Sequence, residues 1–286
     1  MNSPNISSDF STGVSIKQSE YQQRLKWLST ASKIVHLVWK LDSNNIRCVA
    51  DEIMSHDVVW CRGPFCQAVM LAQSASPSLT TLYAALVAAV NSRFPDVGLL
   101  LVKRVVLQLR TAYNNRDRKK LLAASRFVAQ LVNQEVAYEV LDLDVLQLLL
   151  IGHSHTTVYV AVRFCVECGS LLKERAPYRL RVILMEFRLM LRKGSLSRRA
   201  QVSIKRLLGA AKGNRFRRYS EGLEVIVEDC EGVTHEVSLL HDIRAESSLD
   251  SFQSGHAFDD ECELFSRMKI GDGDGDDSGD GSSLGL

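Results

Sequence analysis

Along almost the whole chain, apolar residues recur at helical rather than alternating spacing. Leu79, Leu82, Tyr83, Leu86, Val87 and Val90 follow the i, i+3, i+4, i+7 rule and form one apolar stripe. Ser76 stands where an N-cap belongs. Pro77 suits the first helical position, because its missing N–H would have no partner there. A helix from Pro95 and Asp96 buries Leu99, Val102, Val106, Leu109 and Tyr113, and stops at Asn114 and Asn115. The next starts at Asp117 and turns Leu121, Ala124, Val128 and Leu131 inward. Further helices are predicted over 138–151, 156–174, 177–193 and 196–212, and upstream over 22–41, 44–55 and 63–73. A strand signal first appears in "EGLEVIVED", 221–229.

About ten helices joined by short turns must pack as antiparallel neighbours. The expected fold is all-α, a HEAT-like α-solenoid of about five antiparallel helical hairpins, since no fixed-length sequence repeat is present. Three segments are expected: a disordered leader over 1–21, the solenoid over 22–240 and an acidic Gly/Asp/Ser-rich disordered tail over 241–286. With 46% hydrophobic residues in 286, the chain has ample material for a core. Its apolar runs fall short of the roughly 20 residues that span a bilayer. The N-terminus has neither an early basic cluster nor the apolar segment of a secretory signal, which favours cytosol or nucleus. The seven cysteines are odd in number, sparse and mostly set in apolar runs, so they are expected to be reduced thiols. A formal net charge of +2 conceals a division, because residues 241–286 carry −9 and the rest +11. A basic body with an acidic terminus suits a protein that meets an anionic surface.

Candidate chemistry is thin. "GHSHTTVYVAVRFCVECGS" offers His153, His155, Cys165 and Cys168, a superficial zinc set. Val158, Ala161, Cys165, Cys168 and Leu172 share one stripe, however, which turns both sulfurs toward the core. On a helix His155 and Cys165 stand about 15 Å apart, and one zinc ion with roughly 2.0–2.3 Å bonds cannot join them. The "DGDGDDSGDG" tail opens like an EF-hand loop but has Gly285 where the closing Glu belongs. No phosphate-cradling loop, nucleophile elbow or HExxH is present. No catalytic residue, metal site or cofactor is expected, and such ridged solenoids bind rather than catalyse.

The strongest signal outside the core is basic. Residues 191–218 hold ten bases and no acid. Arg198, Lys205 and Lys212 are seven apart, as are Arg199 and Arg206, so they form a stripe opposite Leu196, Ala200, Ile204, Leu207 and Ala211. Arg181, Arg188 and Arg192 make a similar stripe on the preceding helix. The two ridges are either a solvated face or a contact for RNA phosphates or an acidic partner. Aromatic platforms for base stacking are not interleaved with them, apart from Phe216 and Tyr219. "RKGS" and "RRYS" have the form of basic-directed phosphorylation sites at Ser195 and Ser220.

The segments "QSASP", "YAALVA", "NSRFP", "NNRDRK", "ASRFVAQLVNQEVA" and "EVL" resemble the middle domain of eukaryotic initiation factor 4G. They are closer still to its version in the nucampholin-type pre-mRNA splicing factors. "ECG" at 167–169 and "EGLEVIVEDCEGVTHEVSL" at 221–239 extend the resemblance, which covers roughly 22–240. It implies a non-catalytic scaffold that clamps a DEAD-box ATPase of the initiation factor 4A type. In the splicing branch that ATPase is the helicase core of the exon junction complex, held open and inactive and delivered to the spliceosome in the nucleus. The family's helicase contact maps to "LVWKLDSNN", giving Trp39, Lys40, Asp42 and Asn44. Lys40 keeps the family's charge, whereas Trp39 replaces its Asn and is either an interface anchor or a core residue beside Leu37, Val38 and Leu41. Nothing in the chain resembles the second helical domain or the Arg/Ser-rich tail of longer members, so a single-domain version is expected. A cytoplasmic translation or mRNA-decay adaptor, or an RNA-binding solenoid, are the alternatives.

Overall fold

A computed structural model describes residues 7–152, 154–194, 196–213, 215–216, 232–239 and 242–253, with side chains from Gln18 onward. The predicted strand at 221–229, the "DGDGDDSGDG" stretch, His153, Ser195 and Ser220 lie outside the described residues. Ten α-helices and no strand are present among those described. They are α1 (Ser7–Trp39), α2 (Ile46–Ser55), α3 (Arg62–Ala75), α4 (Thr80–Arg93) and α5 (Pro95–Asn114). Then follow α6 (Arg118–Asn133), α7 (Glu139–Ile151), α8 (His155–Arg175), α9 (Pro177–Lys193) and α10 (Arg198–Lys212). Apart from α2 and α3, successive helices pack on one another, and α2, α4, α6, α8 and α10 also stack in series, the second layer beginning α1, α3, α5. This is the expected all-α hairpin solenoid. No described helix is long and apolar enough to cross a membrane.

Three local features differ from the sequence expectation. First, α1 begins at Ser7, inside the stretch expected to be a disordered leader. Second, Ser76 caps nothing with its side chain. Pro77–Leu79 forms a 3-10 turn and the α-helix starts at Thr80, whose Oγ1 donates to the Pro77 carbonyl at 2.7 Å. Third, α4 buries every residue from Tyr83 to Asn91 rather than one stripe. It touches α2, α5 and α6, and its alanines at 84, 85, 88 and 89 let those neighbours approach on all sides.

Polar residues tie one hairpin to the next. Buried Gln73 donates to Thr80 Oγ1 at 3.1 Å and to the Ala123 carbonyl on α6 at 3.2 Å. Asp117 caps α6, its Oδ1 accepting from the Lys119 and Lys120 amides at 3.1 Å each. Glu167 on α8 accepts from Gln130 Nε2 at 3.0 Å and pairs with Arg126, which also donates to the Pro77 carbonyl at 2.7 Å. Gly169, two residues on, leaves room for the Phe216 ring, which a Cβ there would meet at 2.5 Å.

The chain after the last helix returns along the solenoid. His235 exchanges backbone hydrogen bonds with Val136 and Tyr138, the one isolated bridge among the described residues. Asn91 donates to the Val233 carbonyl at 2.8 Å and its Oδ1 meets His235 Nε2 at 2.7 Å. Burial pushes the His235 imidazole below its ordinary value, which favours the neutral ring beside Asn91.

Residues 242–253, expected to belong to the tail, form a strap across α1, α3 and α5. Arg104 is 7% exposed and donates to the carbonyls of Ala245, Glu246 and Gly63 while pairing with Asp250 at 2.7 Å. Lys103 pairs with Glu246 at 3.0 Å. Phe252 sets its ring edge-on to both Trp27 and Trp60, with centroids 6.4 and 6.3 Å away. Part of the acidic charge assigned to a tail is therefore matched to buried and half-buried cations of the solenoid, so the packed chain extends to at least Gln253.

Candidate partner-binding surfaces

The expected helicase contact lies at the C-terminal end of α1. Leu37, Val38 and Leu41 are buried there, whereas Trp39 is 51% exposed. The helical period points Trp39 away from its apolar neighbours, which removes the core alternative for that residue. The chain then enters a turn built from its own side chains. Asp42 Oδ1 accepts from the Asn44 and Asn45 amides at 2.6 and 3.2 Å. Asn45 Oδ1 accepts from the Asp42 amide at 2.8 Å, and its Nδ2 donates to the Lys40 carbonyl at 2.7 Å. Such side-chain-to-backbone bonds preset the turn. Trp39, Lys40, Asp42 and Asn44 are all exposed, so the structure gathers the four expected residues into one ordered ledge. Asn45, which sequence reasoning left out, holds the ledge together.

The eight expected bases, Arg181, Arg188, Arg192, Arg198, Arg199, Lys205, Arg206 and Lys212, are all exposed, and none pairs with a described acid. They do not make one surface. Arg198, Arg199 and Arg206 line a groove with Arg118 of α6 and His155 and Tyr159 of α8, while Lys205, Lys212 and the three α9 arginines stand outside it. The stripe on α9 runs instead beside exposed Tyr178, Val182, Met185 and Leu189. Arg118 was detectable in sequence only as part of the "NNRDRK" turn, and nothing about its spacing ties it to α10.

The cysteine and histidine set does not converge. Cys165 and Cys168 are fully buried and His155 is exposed at the start of α8. Burial raises the Cys165 thiol to about 12 and Cys168 well above its usual value, so both stay protonated and unreactive. Among the described residues no three His, Cys, Asp or Glu side chains gather around a common point.

Residues 36–209 match the MIF4G domain. The chain is 36% identical over 270 residues to the pre-mRNA-splicing factor CWC22 homolog of Mus musculus, covering 92% of this chain and 30% of that protein. It is 35% identical to the Homo sapiens homolog with the same coverage. To the Caenorhabditis elegans homolog it is 32% identical over 283 residues, covering 95% of this chain and 31% of that one. The chain thus spans about a third of the length of these curated relatives.

Proposed function

The chain belongs to the MIF4G-domain family, and from that premise we propose that it is a non-catalytic scaffold of pre-mRNA splicing that docks a DEAD-box ATPase of the initiation factor 4A type on the Trp39–Asn44 ledge. Its relatives are pre-mRNA-splicing factors, which supports the splicing branch over a translational one, and with it nuclear work alongside spliceosome components. The observation that carries the helicase contact is Trp39 itself. A tryptophan held half-exposed between buried neighbours, beside an exposed Lys40 and a preset turn, has the makings of an interface anchor. By binding the conformer whose two RecA-like lobes stand apart, the scaffold would deplete the closed, active state without doing chemistry. Exon junction assembly follows if the captured ATPase is the exon junction helicase.

The test is direct binding of the full chain to purified DEAD-box ATPases of the exon junction and initiation types, with ATPase rate as a second readout. Trp39→Ala and Lys40→Glu should each weaken binding by at least about 30-fold, the loss typical of a 2 kcal/mol interface anchor. The wild-type chain should slow the bound ATPase. If no DEAD-box ATPase co-purifies from nuclear extract, or if both variants bind as tightly as wild type, the ledge is not the contact. Preference for the initiation-type enzyme would move the protein to the translational reading.

A further inference from the structure

We propose that the groove between the first turns of α8 and α10 binds the phosphate backbone of single-stranded RNA without reading its bases. This surface lies in hairpins beyond the Trp39 ledge, and the proposal does not depend on the helicase reading.

The groove has a volume of about 860 Å³. Arg118 enters from the start of α6, His155 from the start of α8, and Arg198, Arg199 and Arg206 from α10. Among the described residues no acidic side chain lines it. All five of these side chains are exposed, so they are available to a ligand rather than absorbed in the fold. Four guanidinium groups around one concavity give planar, two-pronged donors that match phosphate oxygens. The first residues of α8 and α10, His155, Thr156, Arg198 and Arg199, line the groove, so the N-terminal ends of both helices stand beside it and add a favourable field for anions.

The groove also shows which kind of reading it cannot do. Tyr159, the aromatic ring among its described lining residues, is already covered by the Arg118 guanidinium at 4.4 Å from the centroid. Among the described residues a base therefore finds no free platform, while Arg118 is steadied over the ring at the edge of the ligand space. Charge without stacking predicts binding that tolerates any sequence and weakens steeply with salt. An acidic peptide is the competing occupant. The concentration of arginine over lysine and the two helix ends favour the phosphodiester.

The experiment is fluorescence anisotropy of a labelled 12-nucleotide oligo(U) with the full chain at several salt concentrations, with an oligo(A) of equal length and a ten-residue polyglutamate peptide as comparison probes. Arg199→Glu/Arg206→Glu should weaken RNA binding more than tenfold and flatten the log K against log salt slope by about 1 or more, since each phosphate a single strand has neutralised contributes roughly 0.7. Arg181→Glu/Arg188→Glu on α9 makes the same change in net charge outside the groove and should weaken it less than threefold. Oligo(U) and oligo(A) should bind alike. Equal losses from the two double variants would show attraction to the basic body at large and overturn the groove. Polyglutamate binding as tightly as RNA, with the same loss on groove reversal, would assign the groove to an acidic protein instead. A strong preference between the two oligonucleotides would refute the backbone-only reading. All four positions are exposed, and unchanged thermal melting of both variants guards against misfolding as the cause.

Discussion

Arg104→Met should destabilise the chain by about 3 kcal/mol and release residues 242–253 from its surface. The guanidinium donates to the Ala245 and Glu246 carbonyls and forms an ion pair with the Asp250 carboxylate. Removing one partner of a largely buried pair costs roughly 3–5 kcal/mol, because the abandoned charge and acceptors stay desolvated. The Asp250 side chain is 23% exposed, which places the cost at the low end. Methionine keeps the aliphatic stem against the core, so the loss reports on the polar head alone. For a domain of this size that is a fall in Tm of roughly 6–12 °C. Gly63→Ala attacks the same strap from the other side. A Cβ there would lie 2.0 Å from the Leu249 carbonyl oxygen, a backbone atom that cannot step aside without moving the strap. Both variants should raise amide exchange over 243–252 and change the fluorescence of Trp27 and Trp60, which Phe252 touches edge-on. If exchange in the strap stays at the wild-type level in both, Arg104 is not what holds it.

That strap also marks where sequence patterning stops being informative. Within a helix, the 3.6-residue period fixes which side chains share a face, so the stripe Val158, Ala161, Cys165, Cys168 and Leu172 could be read directly and is fully buried. The same period left Trp39 open between interface and core, and only the packing that buries Leu37, Val38 and Leu41 turns it outward. What stands opposite a face depends on the register between helices, which no single-helix pattern encodes. Arg118 and Arg206 are far apart in sequence and have no shared spacing, yet the packing of α6, α8 and α10 brings them to one groove. Asp242, Glu246 and Asp250 looked like the start of an acidic tail because composition cannot tell a charge with a buried arginine waiting far back in the chain from one that has only water. The family resemblance carried more of this long-range information than periodicity did. Its polar motif residues, Gln73, Asn91, Arg126 and Gln130, are the ones that bond between hairpins rather than within them.

Asp142→Asn should abolish a fall in stability that the wild-type chain shows as pH rises from mildly acidic values. Asp142 lies on α7 with no exposure, and neither carboxylate oxygen has a hydrogen bond of good geometry. Burial pushes its pKa well above the ordinary 3.8; the nearby Cys168 thiol draws it part of the way down, and Glu139 pushes it up again. The direction of the effect follows from proton counting. Below 3.8 the folded and unfolded chains both carry the proton. Between 3.8 and the raised folded value only the folded chain does, so each unit of pH costs about 1.4 kcal/mol until the folded group ionises and the loss levels off. Asparagine has nearly the same shape and cannot titrate. Urea denaturation at half-unit steps from about pH 5 to 8 should therefore show the variant gaining on wild type as pH rises, with every other ionisable group cancelling in the difference. Slopes matter here and absolute stabilities do not, since the amide brings unpaired donors of its own into the site. Parallel curves for the two proteins would mean that the carboxylate is already charged in the fold, and that a cation or water reaches a place where the packing of α7 on α8 sets the Cys165 and Cys168 thiols against it.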